Sequence, residues 1–261
     1  MGSSGTASPS DDQIKSALAE EGARRWGWAL NLYAEAGEAG GCYVPPRRPL
    51  ASGGRSDPER AELEAVRRAR GKVRRYCATH RLNRFVTLTY AGEGCHDPIE
   101  ARRHVGEFFK GLRRELGGKA FPYVWAPEWH PGGHGLHVHF AVGRYVRQAL
   151  IRDIWGHGHV FVKLIGDLPV GSGALEESRV SARYLAKYMS KNVGERRVPG
   201  LHRYEVAQGF QPEPILCYGR SADEVIGRAS EYMKRSPSRV WRSWEEAGWT
   251  RSPAYWCEWA S

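Results

Sequence analysis

The chain has 261 residues, 41% of them hydrophobic, and a formal charge of +10. That length can bury a large core. No apolar run reaches the ~18 residues of a membrane-spanning helix, and the N-terminus lacks the apolar segment of a secretory leader. Five cysteines (Cys42, Cys77, Cys95, Cys217 and Cys257) with no Cys-x-x-Cys pair argue against a disulfide framework and a cysteine-based zinc module. Reduced thiols and a cytoplasmic location, with no membrane partner, are expected. The excess of Lys and Arg over Asp and Glu, 39 against 29, suits contacts with phosphates, and ten Trp and twelve Tyr supply rings that can stack on unpaired bases.

In chain order, residues 1–56 are rich in Gly, Ser and Pro and read as a partly flexible extension, with one helix predicted around 10–35 and a Pro- and Gly-marked linker around 45–54. Asp57-Pro58-Glu59 predicts the start of a helix running to about 77: a capping residue, a proline in the first turn, then an acid. Its apolar positions are Leu63, Val66, Val73 and Tyr76; Arg67, Arg68, Arg70, Lys72, Arg74 and Arg75 form a basic face suited to phosphate contacts.

Residues 85–90 alternate as a strand does, with Val86, Leu88 and Tyr90 on one side and Thr87 and Thr89 on the other. A helix is predicted over 99–116, where Val105, Phe108, Phe109 and Leu112 recur at helical spacing before Gly117-Gly118. Strands follow over 121–130 and 136–142, paired as a hairpin across Pro131-Gly132-Gly133. Next come a helix over 146–155, a strand over 160–165, a Gly/Ser loop and a helix over 180–192. Beyond 198 the expected elements are a strand over 202–210, a helix over 222–234, and a Trp-rich tail over 240–259 that must dock on something because it is too aromatic for water. The order predicts an α+β fold, a mostly antiparallel central sheet with helices packed on it. The expected division is 1–56, 57–200 and 201–261, with the last part docked on the central domain.

Two stretches carry chemistry. In the strand over 136–142, His137 and His139 project to one face while Leu136, Val138 and Phe140 face a core. Two adjacent imidazoles suit a divalent metal, which needs a third ligand. Glu128, on the other hairpin strand, is the first choice; His130, on the same face, is the second. His157-Gly158-His159 has the same spacing in a glycine-broken turn and reads as structural. In the last helix, Ser181, Tyr184, Tyr188 and Lys191 share one stripe, and Ala182, Leu185 and Met189 form an apolar stripe beside it. Two phenols and an ammonium thus point one way from a buried support.

The ordered combination of Thr87-Leu88-Thr89, His137-Val138-His139 and Tyr184-Leu185-Ala186-Lys187-Tyr188-Met189-Ser190-Lys191 resembles the HUH endonucleases. More narrowly, it resembles the two-tyrosine rolling-circle replication initiators of bacterial plasmids and small single-stranded DNA phages. The resemblance covers about 70–192. Arg203-Tyr204-Glu205-Val206 with Gly209-Phe210 is similar, less specifically, to the segment that follows in actinobacterial plasmid initiators.

What the resemblance implies is a ferredoxin-like sheet, with His137, His139 and Glu128 holding Mg²⁺ or Mn²⁺. Tyr188 would nick single-stranded origin DNA, and Tyr184 would serve the second transfer that rejoins strands. Lys187 and Lys191 would assist the phenols or hold a phosphate, and Arg183 joins the basic helix in contacting DNA. The expected partners are a hairpin-associated origin, a host or separate helicase, since there is no P-loop here, and a polymerase. A two-tyrosine transposase is the alternative within this chemistry; a conjugative relaxase is disfavoured because its tyrosine precedes its histidines. Outside it, the alternative is a basic nucleic-acid-binding domain without catalysis.

Overall fold

The computed structural model describes residues 27–45, 58–163, 173–191, 198, 200–249 and 252–260; the side chains of 59, 60 and 189–191 fall outside that description. Residues 10–26 of the helix expected around 10–35, all but the first residue of the linker around 45–54, the Asp57 cap, the loop after the strand over 160–165 and the side chains of Met189 and Lys191 therefore lie outside the described residues. The strands are β1 (Gly27–Tyr33), β2 (Glu38–Val44), β3 (Arg84–Leu88), β4 (Tyr123–Trp129), β5 (Leu136–Val142), β6 (Val160–Lys163), β7 (Glu205–Val206), β8 (Ile215–Gly219), β9 (Arg239–Arg242) and β10 (Ala254–Glu258). The helices are α1 (Pro58–Thr79), α2 (Pro98–Glu115), α3 (Gln148–Trp155), α4 (Ala174–Lys191) and α5 (Ala222–Met233).

The chain forms two compact units, 54–212 and a second made from both ends, 1–53 with 213–261. In the 54–212 unit the run β3-α2-β4-β5-α3-β6 builds an antiparallel sheet in the order β6-β3-β5-β4, with the short β7 added beside β4. This is the ferredoxin-like βαββαβ arrangement, with the third strand of the motif, β5, paired on both sides. Asp97 and Pro98 start α2: the Asp97 carboxylate accepts from the Ile99 amide at 2.8 Å. Gly117 and Gly118, at φ 93° and 77°, end it in conformations that other residues avoid.

Strand alternation gives the sheet two apolar faces. Val86, Leu88, Val138 and Phe140 pack against Val105, Phe108 and Leu112 of α2 and Ile151 and Trp155 of α3. On the other face Phe85, Val124, Ala126 and Ala141 pack against Val73, Tyr76 and Cys77 of α1 and Ala182, Leu185 and Ala186 of α4. The expected apolar stripe of α1 holds at Val66, Val73 and Tyr76 and fails at Leu63, which is 60% exposed.

The second unit has the antiparallel sheet β8-β1-β2-β10-β9 with α5 against one face. Ser221 caps α5: its Oγ accepts from the Glu224 amide at 3.1 Å, while the Glu224 carboxylate accepts from the Arg220 amide, one residue before the cap, at 2.7 Å. Gly41 has no room for a side chain, since a Cβ there would lie 2.1 Å from the Ala29 carbonyl oxygen. Its bareness lets Tyr255 cross β2 and donate its hydroxyl hydrogen to that same oxygen at 2.9 Å.

This organisation differs from the expected one. Residues 27–33 are a strand, followed by a 3-10 turn at Ala34–Ala36, where a helix was predicted. The strand predicted over 202–210 is reduced to two residues. Residues 213–260 do not form a separate tail: Tyr255, Cys257 and Trp259 are buried in the core of a unit that also contains β1 and β2, and the Trp259 indole donates to the Arg235 carbonyl at 2.9 Å. The expected burial of the aromatic tail holds for Tyr255 and Trp259, which pack with strands from the other end of the chain, and fails at Trp244, which is 46% exposed; Trp241, Trp249 and Trp256 are half-buried. No helix among the described residues is long and apolar enough to cross a membrane.

Candidate active site

Strand pairing assembles the site on the α1/α4 face of the first sheet. Residues opposite one another in adjacent antiparallel strands share a face. Thr87 opposes His139, which opposes Ala126; His137 opposes Glu128. Thr87 Oγ1 and His139 Nδ1 are 2.9 Å apart, and His139 Nε2 lies 2.8 Å from Glu128 Oε2. His139 is 3% exposed, so both ring nitrogens are engaged in a nearly dry setting. His137 is more open, with the His130 ring centred 4.5 Å from its own. Burial, together with the neighbouring His130 and His139 rings, brings the His137 pKa down to about 4, so its ring is neutral at physiological pH and keeps a lone pair.

α4 lies over this face. Leu185 and Ala186 anchor it in the core, and the tyrosines one turn apart reach the strands. The Tyr188 ring stacks on His139 with centroids 3.6 Å apart and planes 8° from parallel. Tyr184 sits further along, its ring 5.6 Å from Phe85 and under Lys163, whose Nζ is 4.6 Å from the ring centre. The two phenols are therefore not equivalent: one lies on the histidine strand, the other on an edge-strand cation.

Of the site residues read from sequence, the fold brings together Tyr188, Tyr184, His137, His139 and Glu128, with His130 beside them. Lys187 and Arg183 are exposed on α4. On α1, Arg67, Arg68, Arg70 and Lys72 are exposed, with Arg68 Nη1 3.8 Å from Glu64, while Arg74 and Arg75 are half-buried. His157 and His159 diverge: His157 stacks on His104 of α2 at 3.9 Å, and His159 continues the β6 ladder through its carbonyl. The contribution of Thr87 to orienting His139 and that of Lys163 to Tyr184 were not among the expected roles. Thr87 was legible as a site-facing strand residue; its hydrogen bond depends on the β3–β5 register.

His137, His139 and Glu128, one neutral imidazole, a second fixed through Nδ1, and a carboxylate, are side-chain types that divalent metals accept as ligands. As arranged here, Glu128 pairs with His139. Among the described residues no set of three or more His, Cys, Asp and Glu side chains is placed to hold an ion.

A ferredoxin-like sheet thus carries paired histidines under a helix with two tyrosines. Residues 83–193, which run from just before β3 to just after α4, match the family model of Replication-associated protein ORF2/G2P. This stretch is under half of the chain, and the likeness supports a replication-associated protein of the initiator type. No curated protein and no solved structure matches the chain significantly.

Proposed function

We propose that this protein starts rolling-circle DNA replication by cutting one strand of an origin with Tyr188, and that Tyr184 carries out the second transfer that rejoins strands. The observation that carries the reading is the Tyr188 ring stacked at 3.6 Å on His139, beside His137 and Glu128, within the stretch matched to the replication-associated family.

In the proposed step the Tyr188 phenolic oxygen attacks phosphorus in line, forming a P–O bond to the tyrosine and breaking the bond to the 3′ oxygen. The phenol loses its proton to solvent or a nearby base. The leaving oxygen takes one up and becomes a 3′-OH primer, and the 5′ end stays on the enzyme as a phosphotyrosine. A free phenol titrates near 10, so attack at neutral pH needs a cationic surrounding. Lys187, and Lys191 in the same stripe by sequence, are the proposed sources of charge on α4; Lys163 serves Tyr184. His137, His139 and Glu128 would hold Mg²⁺ or Mn²⁺, which when bound supplies charge neutralisation at the phosphoryl oxygens. Thr87 keeps the His139 ring in one orientation. Arg67, Arg68, Arg70, Lys72, Arg74, Arg75 and Arg183 are proposed to track the backbone of the strand.

The test is incubation with labelled single-stranded DNA covering candidate origins, with Mn²⁺ or with EDTA, followed by a denaturing gel. A metal-dependent protein–DNA band, lost in Tyr184→Phe/Tyr188→Phe, is expected. DNA binding without any adduct would replace nicking by simple binding.

A further inference from the structure

Phe161 is an exception among the phenylalanines of this chain. Phe85, Phe108, Phe109, Phe121 and Phe140 are buried and Phe210 is half-buried, while Phe161 is 60% exposed. A single exposed apolar side chain is ordinary by itself. Its placement carries the argument. Phe161 opposes Thr87, and Thr87 opposes His139, so the three form one cross-strand row on the site face of the sheet. Two strand spacings, ~10 Å, separate Phe161 from His139 along that row. On the same side of β6 its neighbours are His159, with ring centroids 6.5 Å apart, and Lys163, which lies over Tyr184. Among the described residues β6 is also the edge strand of the sheet, with no further strand beyond Phe161 in that row.

An open aromatic face next to a cation, in line with the histidine that carries the Tyr188 ring, has the form of a single-strand binding surface, where bases stack on rings and phosphates meet ammonium groups. The positive net charge of the chain and the exposed Arg183 and Lys187 of α4 favour the same occupant. We infer that Phe161 is a positioning residue: an unpaired base flanking the phosphate presented to Tyr188 stacks on its ring, with Lys163 at the adjoining phosphate. The inference rests on the proposed nicking function for its geometry, but base stacking is measurable without cleavage.

The test uses the full chain and a fluorescein-labelled 20-nucleotide oligothymidine in EDTA, read by anisotropy. Phe161→Ala is expected to weaken binding about tenfold, the lower range for loss of one stacked base. Phe161→Trp should restore it, with indole fluorescence quenched by the DNA. Lys163→Ala should instead lower the steepness of the salt dependence by about one charge. Because the ring is exposed, Phe161→Ala should leave the circular dichroism and melting curve unchanged. Equal binding by Phe161→Ala and the natural protein, or no rescue by Trp, would overturn the stacking role. A stacking effect without any adduct in Mn²⁺ would retire the nicking reading alone. Adduct formation on origin DNA with binding indifferent to residue 161, or no binding of the oligonucleotide by the natural protein, would retire this inference alone.

Discussion

Thr87→Val isolates how much the orientation of His139 matters. Valine has nearly the shape of threonine and removes the hydroxyl that lies 2.9 Å from His139 Nδ1. An average hydrogen bond contributes about 1 kcal/mol net, and depriving a buried polar atom of its partner costs about 1–3 kcal/mol. At 3% exposure the His139 ring belongs to the second case, so a loss of about 1–3 kcal/mol is expected. The two compact units of the chain need not unfold together, which makes a single melting temperature a poor readout. Hydrogen exchange of peptides from β3 and β5 is the better assay; protection there should fall about tenfold or more. A freed ring should also raise the Mn²⁺ concentration for half-maximal adduct formation by about 10–100-fold, the usual effect of removing a residue that orients a ligand. If both the exchange rates and the Mn²⁺ midpoint of Thr87→Val matched the natural protein, the hydrogen bond would not be what holds His139.

Three further outcomes are expected. Tyr188→Phe should abolish the covalent adduct, while Tyr184→Phe should still nick and fail in strand rejoining; the reverse pattern on a denaturing gel would exchange their roles. In metal-free solution, proton NMR should show the His137 ring neutral down to about pH 4. Since that folded value lies below the ordinary 6.5, protonation favours the unfolded chain, and the stability tied to His137 is present above 6.5 and lost as pH falls toward 4. With Ellman's reagent, exposed Cys42 should react first, and Cys217 and Cys257, whose pKa values burial raises to about 11, should react only on opening.

The elements that build the site were legible because their signals are local. β5 alternates over its whole length, so the faces of His137 and Phe140 follow from spacing alone, and α4 declares its buried side through Ala182 and Leu185. That Glu128 stands opposite His137 follows once the hairpin is in register; that its carboxylate reaches His139 instead does not. What sequence could not supply are the facts that depend on distant strands. Residues 27–35 read as the end of a helix and 36–44 carry no strand signal; 27–33 and 38–44 are strands that β8 and β10, about two hundred residues away, pair with. The same holds for Tyr255, whose passage across Gly41 no local pattern announces. Lys163 over Tyr184 is also a long-range event, set by the β3–β6 register and the seating of α4.

That β2 pairs with both β1 and β10 has a consequence for biosynthesis. A ribosome delivers the β1–β2 hairpin first and β10 last, with the whole of 54–212 in between. The tyrosine-bearing unit can thus be complete while its neighbour still waits for an inner strand, and domains generally fold in the order they emerge. A nascent chain stalled before β10 would hold a complete 54–212 unit and an unfinished second sheet whose open edge is β2, a row of unpaired backbone groups able to pair with another chain.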